Sequence, residues 1–137
     1  MGKLDGKIAL VTGASGGIGR IVAIEFAREG AKGIAVHYGS SEDKALKVVE
    51  EIKNLGSDGI AVKADVSNEK EVAAMIDKIL KTYGRIDIVA AFAGYPASDW
   101  NVDPLELTSD HFDKPWNIDV KGTYFTIKYS VPHMKKQ

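Results

Sequence analysis

The 137-residue sequence contains no cysteine, which excludes disulfide bonds and thiolate chemistry. It also has no excess of either charge, since 18 Lys and Arg residues face 19 Asp and Glu residues and leave a formal net charge of −1. Nothing in this balance attracts nucleic acid or an acidic membrane surface. No stretch approaches the ~18 consecutive apolar residues of a membrane span, and residues 1–6 lack the apolar run of a signal peptide. We therefore expect a cytoplasmic protein of one domain, 1–137, without nucleic-acid or membrane partners.

The most informative stretch is the glycine-rich sequence VTGASGGIGR at 11–20. It follows the apolar, β-prone residues 7–11 and precedes residues 18–28, whose apolar residues repeat at helical spacing. Strand, glycine turn and helix form the context of a loop that binds nucleotide phosphates, because glycine allows a tight turn and leaves the backbone accessible. The amides and the positive dipole end of the helix then face the pyrophosphate. The alternative is a glycine-rich turn without a ligand.

Apolar strand-like runs alternate with helical patterns along the whole chain, which predicts βαβ units and a parallel sheet. The predicted strands cover 7–11, 33–38, 59–64 and 86–91. The first two predicted helices cover 18–28 and 42–55, the second of them after a capping box of Ser40 and Asp43. The third runs from a cap at Ser67 or Asn68 to Gly84, and the fourth covers 108–134 and is broken or kinked at Pro115 and Pro132. Right-handed crossovers and the usual doubly wound order place the strands 3-2-1-4. The predicted fold class is therefore α/β, a partial doubly wound Rossmann fold with a ligand crevice between strands 1 and 4.

The glycine spacing narrows the class of nucleotide site. Gly13, Gly17 and Gly19 give T-G-x-x-x-G-x-G, which differs from the G-x-G-x-x-G of other dinucleotide folds and lacks the Gly-Lys-Ser/Thr of ATPase phosphate loops. This spacing resembles the short-chain dehydrogenase/reductase family. The resemblance implies a nicotinamide-dependent oxidoreductase that transfers hydride between NAD(P)H and a carbonyl or alcohol substrate. It also implies that Ser15 and Ile18, with the three glycines, bind the pyrophosphate.

Segments after strands 3 and 4 resemble the same family. Asp65 lies in the sequence Ala-Asp-Val, and the family uses its equivalent Asp to accept a hydrogen bond from the adenine amino group. Val66 completes this motif, and turn capping is the alternative role of Asp65. Strand 4 ends in AFAG at 91–94, where the family usually has Asn-Asn-Ala-Gly. Ala93 and Gly94 are retained, and small residues here allow the cofactor ribose to approach the backbone, while the loss of both asparagines changes the local geometry.

The end of strand 2 distinguishes the two nicotinamide cofactors, since an acidic residue there binds the ribose 2′-hydroxyl and repels a 2′-phosphate. No acid occurs in the sequence HYGSS at 37–41. Tyr38, Ser40 and Ser41 are therefore assigned to cofactor binding, and the serines favour NADP because they can donate to a 2′-phosphate. Gly16 stands where many NADP-dependent members have a basic residue, so NAD remains open. His37 has no second ligand close in sequence, and we expect neither a catalytic role for it nor a metal site.

The sequence WNIDVKGTYF at 116–125 resembles the family helix I-N-x-N-L-K-G-x-F. The second Asn of that helix belongs to a catalytic tetrad and holds a proton-relay water in the family. It corresponds to Asp119, and the first Asn corresponds to Asn117. Some sugar and polyol reductases of the family also have Asp at this position. An ionised Asp accepts hydrogen bonds but donates none, so its role can differ. The alternative is that both are structural or exposed polar residues of a helix.

The family's other catalytic residues, a Ser and a Tyr-x-x-x-Lys on later elements, have no counterpart before Gln137. Tyr124 and Lys128 have the required offset, but they fall in the earlier helix motif, and we interpret their spacing as coincidence. The resemblance thus covers the whole of this chain, yet it covers only the first half of a typical family member, which continues into further strands. We expect the 137-residue chain alone to bind cofactor weakly and to catalyse nothing.

Other interpretations remain open. One is a non-catalytic nucleotide-binding or regulatory module that associates with full-length subunits. Family members often dimerise through the helix that corresponds to 108–136, so the resemblance implies a homodimer or homotetramer through this helix. Epimerases and dehydratases of the extended relatives are disfavoured, because they have T-G-x-x-G-x-x-G spacing. The substrate loop lies in the family's second half, and a sugar, polyol or keto-ester is suggested by Asp119 alone.

Overall fold

The computed structural model describes residues 2–96 and 101–137 as a parallel sheet with helices on both faces. The strands are β1 Ile8–Thr12, β2 Gly33–Tyr38, β3 Asp58–Lys63 and β4 Ile88–Ala91. The helices are α1 Gly17–Arg28, α2 Glu42–Asn54, α3 Glu69–Tyr83, α4 Ser109–Pro115 and α5 Gly122–Met134, with a 3₁₀ turn Pro104–Glu106 before α4 and a π-helical segment Trp116–Lys121 between α4 and α5. The strand order is β3-β2-β1-β4, so the predicted order and the α/β Rossmann class are confirmed.

Helices cover both faces of the sheet, which explains why β1 and β2 are buried along their whole length. On one face, Val11 and Val36 pack with the apolar sides of α1 and α2. On the other face, Leu10 and Val62 pack with α3 and, at the margin, with α5. Because all four strands are parallel, their carboxyl ends lie at the same edge of the sheet. The turns that leave this edge are therefore brought together.

The ends of α2 and α3 test the capping predictions. Asn68 caps α3 by accepting hydrogen bonds from two amides of the first turn, at 3.1 and 3.3 Å, and Gly84 ends the helix with a φ of 76°. The capping box predicted from Ser40 and Asp43 is wrong, because α2 begins after Ser41, whose side chain makes no capping bond. Two acidic side chains in the first turn of α2 instead complement the helix dipole.

The fourth strand begins at Ile88, two residues later than predicted. The backbone of Ile86 is paired instead with the side-chain amide of Gln137, through two hydrogen bonds of 3.0 Å each. The carboxylate of Asp87 accepts a hydrogen bond of 2.9 Å from the amide of Ile8. Side chains thus satisfy backbone groups that a longer strand would pair, and sequence patterns do not reveal such distant partners.

The predicted helix 108–134 is present, and its α-helical hydrogen bonding is interrupted after Pro115, where α4 ends, but not at Pro132. Its amino end is closed by a hydrogen bond of 3.0 Å from the amide of Thr108 to Nδ1 of His111. The π segment begins directly after Pro115, whose ring nitrogen cannot donate a helical hydrogen bond, and α5 continues through Pro132. Among the described residues, no helix is both long and apolar enough to cross a membrane.

Candidate functional site

A pocket of about 600 Å³ lies at the carboxyl ends of the strands. Its wall is formed by the turns after β1, β2 and β3, by the residues after β4, and by Ile118 of the π segment. Of the residues predicted to bind cofactor, the pocket brings together Gly13, Ser15, Ser40, Asp65, Val66, Ala93 and Gly94. The predicted residues outside its wall are Gly17, Ile18, Gly19, Tyr38, Ser41, Asn117 and Asp119.

The glycine loop is closely packed where it passes the end of β4. Gly13 has a φ of 63°, and a Cβ there would lie 2.8 Å from both the amide nitrogen of Ala93 and the carbonyl oxygen of Phe92. Gly19 is equally confined, because a Cβ there would lie 2.3 Å from the carbonyl oxygen of Gly13. Glycine is therefore required at both positions. Without side chains there, the end of β4 and the start of α1 can pack directly against the loop.

The amino end of α1 has no capping group of its own. Its N-cap residue is Gly16, which has no side chain, and its first turn contains no acidic residue. The first amides of any helix lack intrahelical partners, so this end is suited to an anionic ligand. Ile18 is exposed in this turn. Arg20 does not contribute charge to the pocket, because its guanidinium binds both carboxylate oxygens of Glu51 on α2, at 2.8 and 2.9 Å.

Thr12 is a residue of the site that sequence analysis missed. It is buried at the end of β1, and its Oγ1 accepts hydrogen bonds from the amides of Phe92 and Ala93, at 3.0 and 3.1 Å. These bonds hold the segment after β4 beside the glycine loop. The Thr-Gly pair at the start of the motif is the sequence signal that could have identified this role.

His37 is a second residue that sequence analysis missed, since no role in the site was expected for it. Its Nδ1 accepts a hydrogen bond of 3.0 Å from the amide of Gly13, and its Nε2 donates one of 2.9 Å to the carbonyl oxygen of Ala64. Burial lowers the pKa of His37, although the bond to Ala64 opposes the shift. The ring is therefore neutral in this arrangement, with its proton on Nε2.

The residues after β3 combine turn formation with a place in the pocket wall. Oδ1 of Asp65 accepts hydrogen bonds from the amide and the hydroxyl of Ser67, at 2.9 and 2.6 Å, so the turn-capping role proposed as an alternative is present. Val66 is buried beneath the wall, where a Cβ on Gly122 would lie 2.7 Å from its Cγ2. Asp65 lines the pocket at the same time, so the two roles of this residue are compatible.

The predicted residues at the end of β2 lie in different environments. Tyr38 is 7% exposed and belongs to the core cluster on the α1 and α2 face, so its ring is not part of the pocket wall. Burial, followed by the nearby carboxylate of Glu42, raises the pKa of Tyr38. Ser40 lines the pocket, whereas Ser41 is the N-cap residue of α2.

The two candidate catalytic residues lie in the π segment. Oδ1 of Asp119 accepts a hydrogen bond of 2.7 Å from the amide of Tyr95, and a Cβ on Gly94 would lie 3.4 Å from this oxygen. Asp119 therefore ties the segment after β4 to the long helix. Asn117 is half-buried in the same segment.

The Tyr124 and Lys128 pair does not form a site. Tyr124 is exposed, and Lys128 is engaged elsewhere, because its Nζ binds Oε1 of Glu69 on α3. The hydroxyl of Tyr129 donates to the same oxygen at 2.9 Å. The bond from Lys128, followed by that from Tyr129, lowers the pKa of Glu69. Lys128 thus joins α5 to α3.

The sequence model described as short chain dehydrogenase matches residues 7–137, so the chain belongs to this family. A short-chain dehydrogenase/reductase of Pestalotiopsis microspora is 40% identical over 134 residues, which cover 98% of this chain and 49% of the relative. The versicolorin reductase of Emericella nidulans is 37% identical, with coverage of 98% and 49%.

The fold comparison agrees with this assignment. The crystal structure of a hydroxysteroid dehydrogenase from Escherichia coli matches with a TM-score of 0.87 at 32% sequence identity, over 97% of this chain and 54% of the other. The chain therefore spans about half the length of the relatives that it matches.

Proposed function

We propose that the chain forms the cofactor-binding half of an NAD(P)-dependent oxidoreductase that acts on a carbonyl or alcohol substrate. The observation that carries this proposal is the glycine loop, packed against Ala93 in a pocket beside the uncapped end of α1. The family supports an oxidoreductase class, and one relative is named as a reductase. A bound nicotinamide ring supplies the hydride chemistry, while the chain binds and orients the cofactor.

Each part of the pocket suits one part of a dinucleotide. We assign the pyrophosphate to Gly13 and Ser15 in the pocket wall and to the amides of Gly17, Ile18 and Gly19 beside that wall, because this start of α1 has no capping side chain and no acidic residue in its first turn. The adenine end is assigned to Asp65, with Val66 beneath it. Ala93 and Gly94 provide the small surface that a ribose requires.

The cofactor preference is proposed to be NADP rather than NAD. Ser40 in the pocket wall and Ser41 at the start of α2 can donate to a 2′-phosphate, and no acidic side chain of the described residues at 37–41 opposes it. Tyr38 supports this segment from the core rather than by direct contact. Comparing the dissociation constants of NADP⁺ and NAD⁺ tests the preference.

Asp119 and Asn117 are proposed as the chain's contribution to the catalytic group. The bond from the amide of Tyr95 to Asp119 supports a role in positioning the segment after β4, close to Gly94. Because the family's Ser and Tyr-x-x-x-Lys have no counterpart in these residues, we expect no turnover by the 137-residue chain. Steady oxidation of NADPH with any carbonyl substrate would contradict this.

Replacing Gly17 by alanine is the experiment that tests cofactor binding. Gly17 and Gly56 have φ values of 55° and 95°, and neither has an atom within 4 Å of an added Cβ. Gly17→Ala and Gly56→Ala should therefore both lose stability through backbone strain alone, about 1 kcal/mol for Gly17→Ala and more for Gly56→Ala, whose φ lies outside the left-handed region open to alanine. We expect the dissociation constant of NADP⁺, measured by calorimetry, to rise about ten-fold in Gly17→Ala alone. Equal affinity of the two variants, or no binding by the unmodified chain, would refute the proposal.

Association through the helix 108–136 is proposed from its exposed apolar residues. Phe112, Trp116, Val120 and Tyr124 recur at intervals of four, and their exposures range from 47% to 60%. Such a stripe is typical of an interaction surface. We expect Trp116→Ser to weaken self-association in sedimentation velocity experiments. Leu105→Ser, which changes an equally apolar residue outside this helix, is the control and should leave the sedimentation coefficient unchanged.

The alternative function is a non-catalytic nucleotide-binding or regulatory module that pairs with full-length subunits through the same helix. The intact mass of the purified protein distinguishes the two functions. A mass well above 14.8 kDa, with a Ser and a Tyr-x-x-x-Lys in the sequence after Gln137, supports the enzyme. We also propose a cytoplasmic location, which fractionation of the source cells tests.

A further inference from the structure

His37 accepts hydrogen bonds from the first two amides of the glycine loop, those of Gly13 and Ala14. The amide of Gly13 donates to its ring nitrogen Nδ1 at 3.0 Å, and the amide of Ala14 donates to its backbone carbonyl oxygen at 2.9 Å. The opposite ring nitrogen donates to the carbonyl oxygen of Ala64, 2.9 Å away. One side chain of β2 therefore spans from the end of β1 to the end of β3. These are the two edges of the pocket assigned above to the pyrophosphate and to the adenine.

This arrangement admits one protonation state. Nδ1 must be an acceptor, because the amide of Gly13 can only donate, and Nε2 must be a donor, because a carbonyl oxygen can only accept. A second proton would place an N–H group of the ring against the N–H group of Gly13. The amide would lose its acceptor, and the two donors would have to separate. His37 is 3% exposed, so water cannot readily take over the role of acceptor.

We propose that His37 is a positioning residue of the cofactor site. The neutral ring of His37 sets the distance between the glycine loop and the end of β3. Protonation of the ring releases the loop and weakens cofactor binding. This inference rests on the proposed function for its effect on affinity, but the link between His37 and Gly13 exists without a cofactor. It also assigns a task to a pocket-lining residue for which the sequence led us to expect neither a catalytic nor a metal-binding role.

Few other ionisable groups face this link. Among the residues that line the pocket, Asp65 is the other ionisable one, and its Oδ1 is bound to Ser67. Glu71 of α3 accepts a hydrogen bond from the amide of Asp65 at 2.7 Å, and Asp119 of the π segment accepts one from Tyr95. The side chain of Tyr38, the next residue in the sequence, lies on the opposite face of β2. The hydrogen bonds of His37 involve none of these side chains. Burial, which lowers the pKa of His37 below 6.5, therefore dominates its titration.

The affinity for NAD⁺, measured by calorimetry from pH 8 down to pH 5, tests the proposal. NAD⁺ is chosen because it lacks the 2′-phosphate of NADP⁺, which titrates near pH 6. Above pH 6.5 the ring is neutral and affinity should be constant. As the pH falls through the lowered pKa, the dissociation constant should rise about five-fold, the equivalent of one hydrogen bond. His133→Asn, which removes an exposed histidine, should keep this pH dependence.

Two variants separate positioning from packing. His37→Asn places an amide oxygen near the position of Nδ1 but has no donor at the position of Nε2, so it keeps the bond to Gly13 and loses the bond to Ala64. It cannot titrate in this range, so its affinity should be independent of pH and should lie between that of the unmodified chain at pH 8 and that of a variant without any acceptor. His37→Leu fills the space without an acceptor, and its affinity should be about five-fold weaker at every pH. Equal affinities for the two variants, or an unchanged pH dependence in His37→Asn, would overturn the proposal.

A nuclear magnetic resonance titration of the unmodified chain without cofactor keeps the proposal testable if a variant does not fold. The amide nitrogen shift of Gly13 should change with the same midpoint as the ring carbons of His37. A Gly13 amide that does not respond while His37 titrates would overturn the proposal. Absence of NAD⁺ binding together with coupled titration would refute the proposed function while supporting the link, so the two failures are distinguishable.

Discussion

Replacing Thr12 by valine removes one hydroxyl from the end of β1 with almost no change in shape. Thr12 is 1% exposed, and its Oγ1 accepts hydrogen bonds of 3.0 and 3.1 Å from the amides of Phe92 and Ala93. Each such bond contributes about 1 kcal/mol net. Because Phe92 is 43% exposed, water can partly solvate its amide after the change. We therefore expect Thr12→Val to lower the free energy of unfolding by ~1–2 kcal/mol.

Urea unfolding and amide hydrogen exchange measure this effect. With a dependence on urea of about 1–3 kcal/mol per molar, the midpoint of unfolding should fall by roughly 1 M. Thr12→Ser is the matched control, because it keeps the hydroxyl and loses one methyl group, a cost of about 1 kcal/mol. Exchange at the amides of residues 92 and 93 should accelerate at least about ten-fold in Thr12→Val and remain slow in Thr12→Ser. Equal protection of both amides in the two variants would refute the role assigned to Thr12.

Two further changes test the fold beneath the site. Asn68→Ala should lower the free energy of unfolding by ~1 kcal/mol, because it removes the cap of α3, whereas Asn68→Asp should retain most of it; equal losses in urea unfolding would contradict the capping role. Hydrogen bonds from Arg85, followed by the bond from the amide of Ile8, hold the pKa of Asp87 below 3.8. The contribution of the Asp87 carboxylate to the free energy of unfolding is therefore present above that pH and is lost as the pH falls through the lowered pKa. Asp87→Asn should therefore be less stable at pH 7 by ~1–2 kcal/mol, and its difference from the unmodified chain should shrink below pH 4 in acid titrations; a constant difference would exclude the ionic contribution.

The position of the pocket explains how a short motif can organise a site. The glycine loop meets the segment after β4 because β1 and β4 are neighbours in the sheet, with Val11 paired to Ala90 and Thr12 to Ala91. This neighbourhood follows from the strand order, in which β2 and β3 are added on one side of β1 and β4 on the other, while all strands stay parallel. The crevice is therefore a property of topology, and the glycines make it accessible to a ligand.

The sequence by itself determined the element types, their order and the family. Strands and helices follow from local periodicity, the end of α3 from Asn68 and Gly84, and the family from glycine spacing within seven consecutive residues. Each of these signals depends on neighbours in the chain. That is why strand order and fold class could be predicted before any contact was known.

Tertiary structure alone decided which side chains hold the site together. His37 and Gly13 are 24 residues apart, and Thr12 and Phe92 are 80 apart. A local motif can mark such a residue, as the Thr-Gly pair marks Thr12, but it does not identify the distant partner. The backbone of Ile86, just before β4, is likewise bound by Gln137, 51 residues away. Hydrogen bonds between distant residues form only when the packed sheet brings their strand ends together. Sequence periodicity encodes which elements form and which sides they bury, whereas the partners of buried polar groups depend on the packed arrangement of those elements.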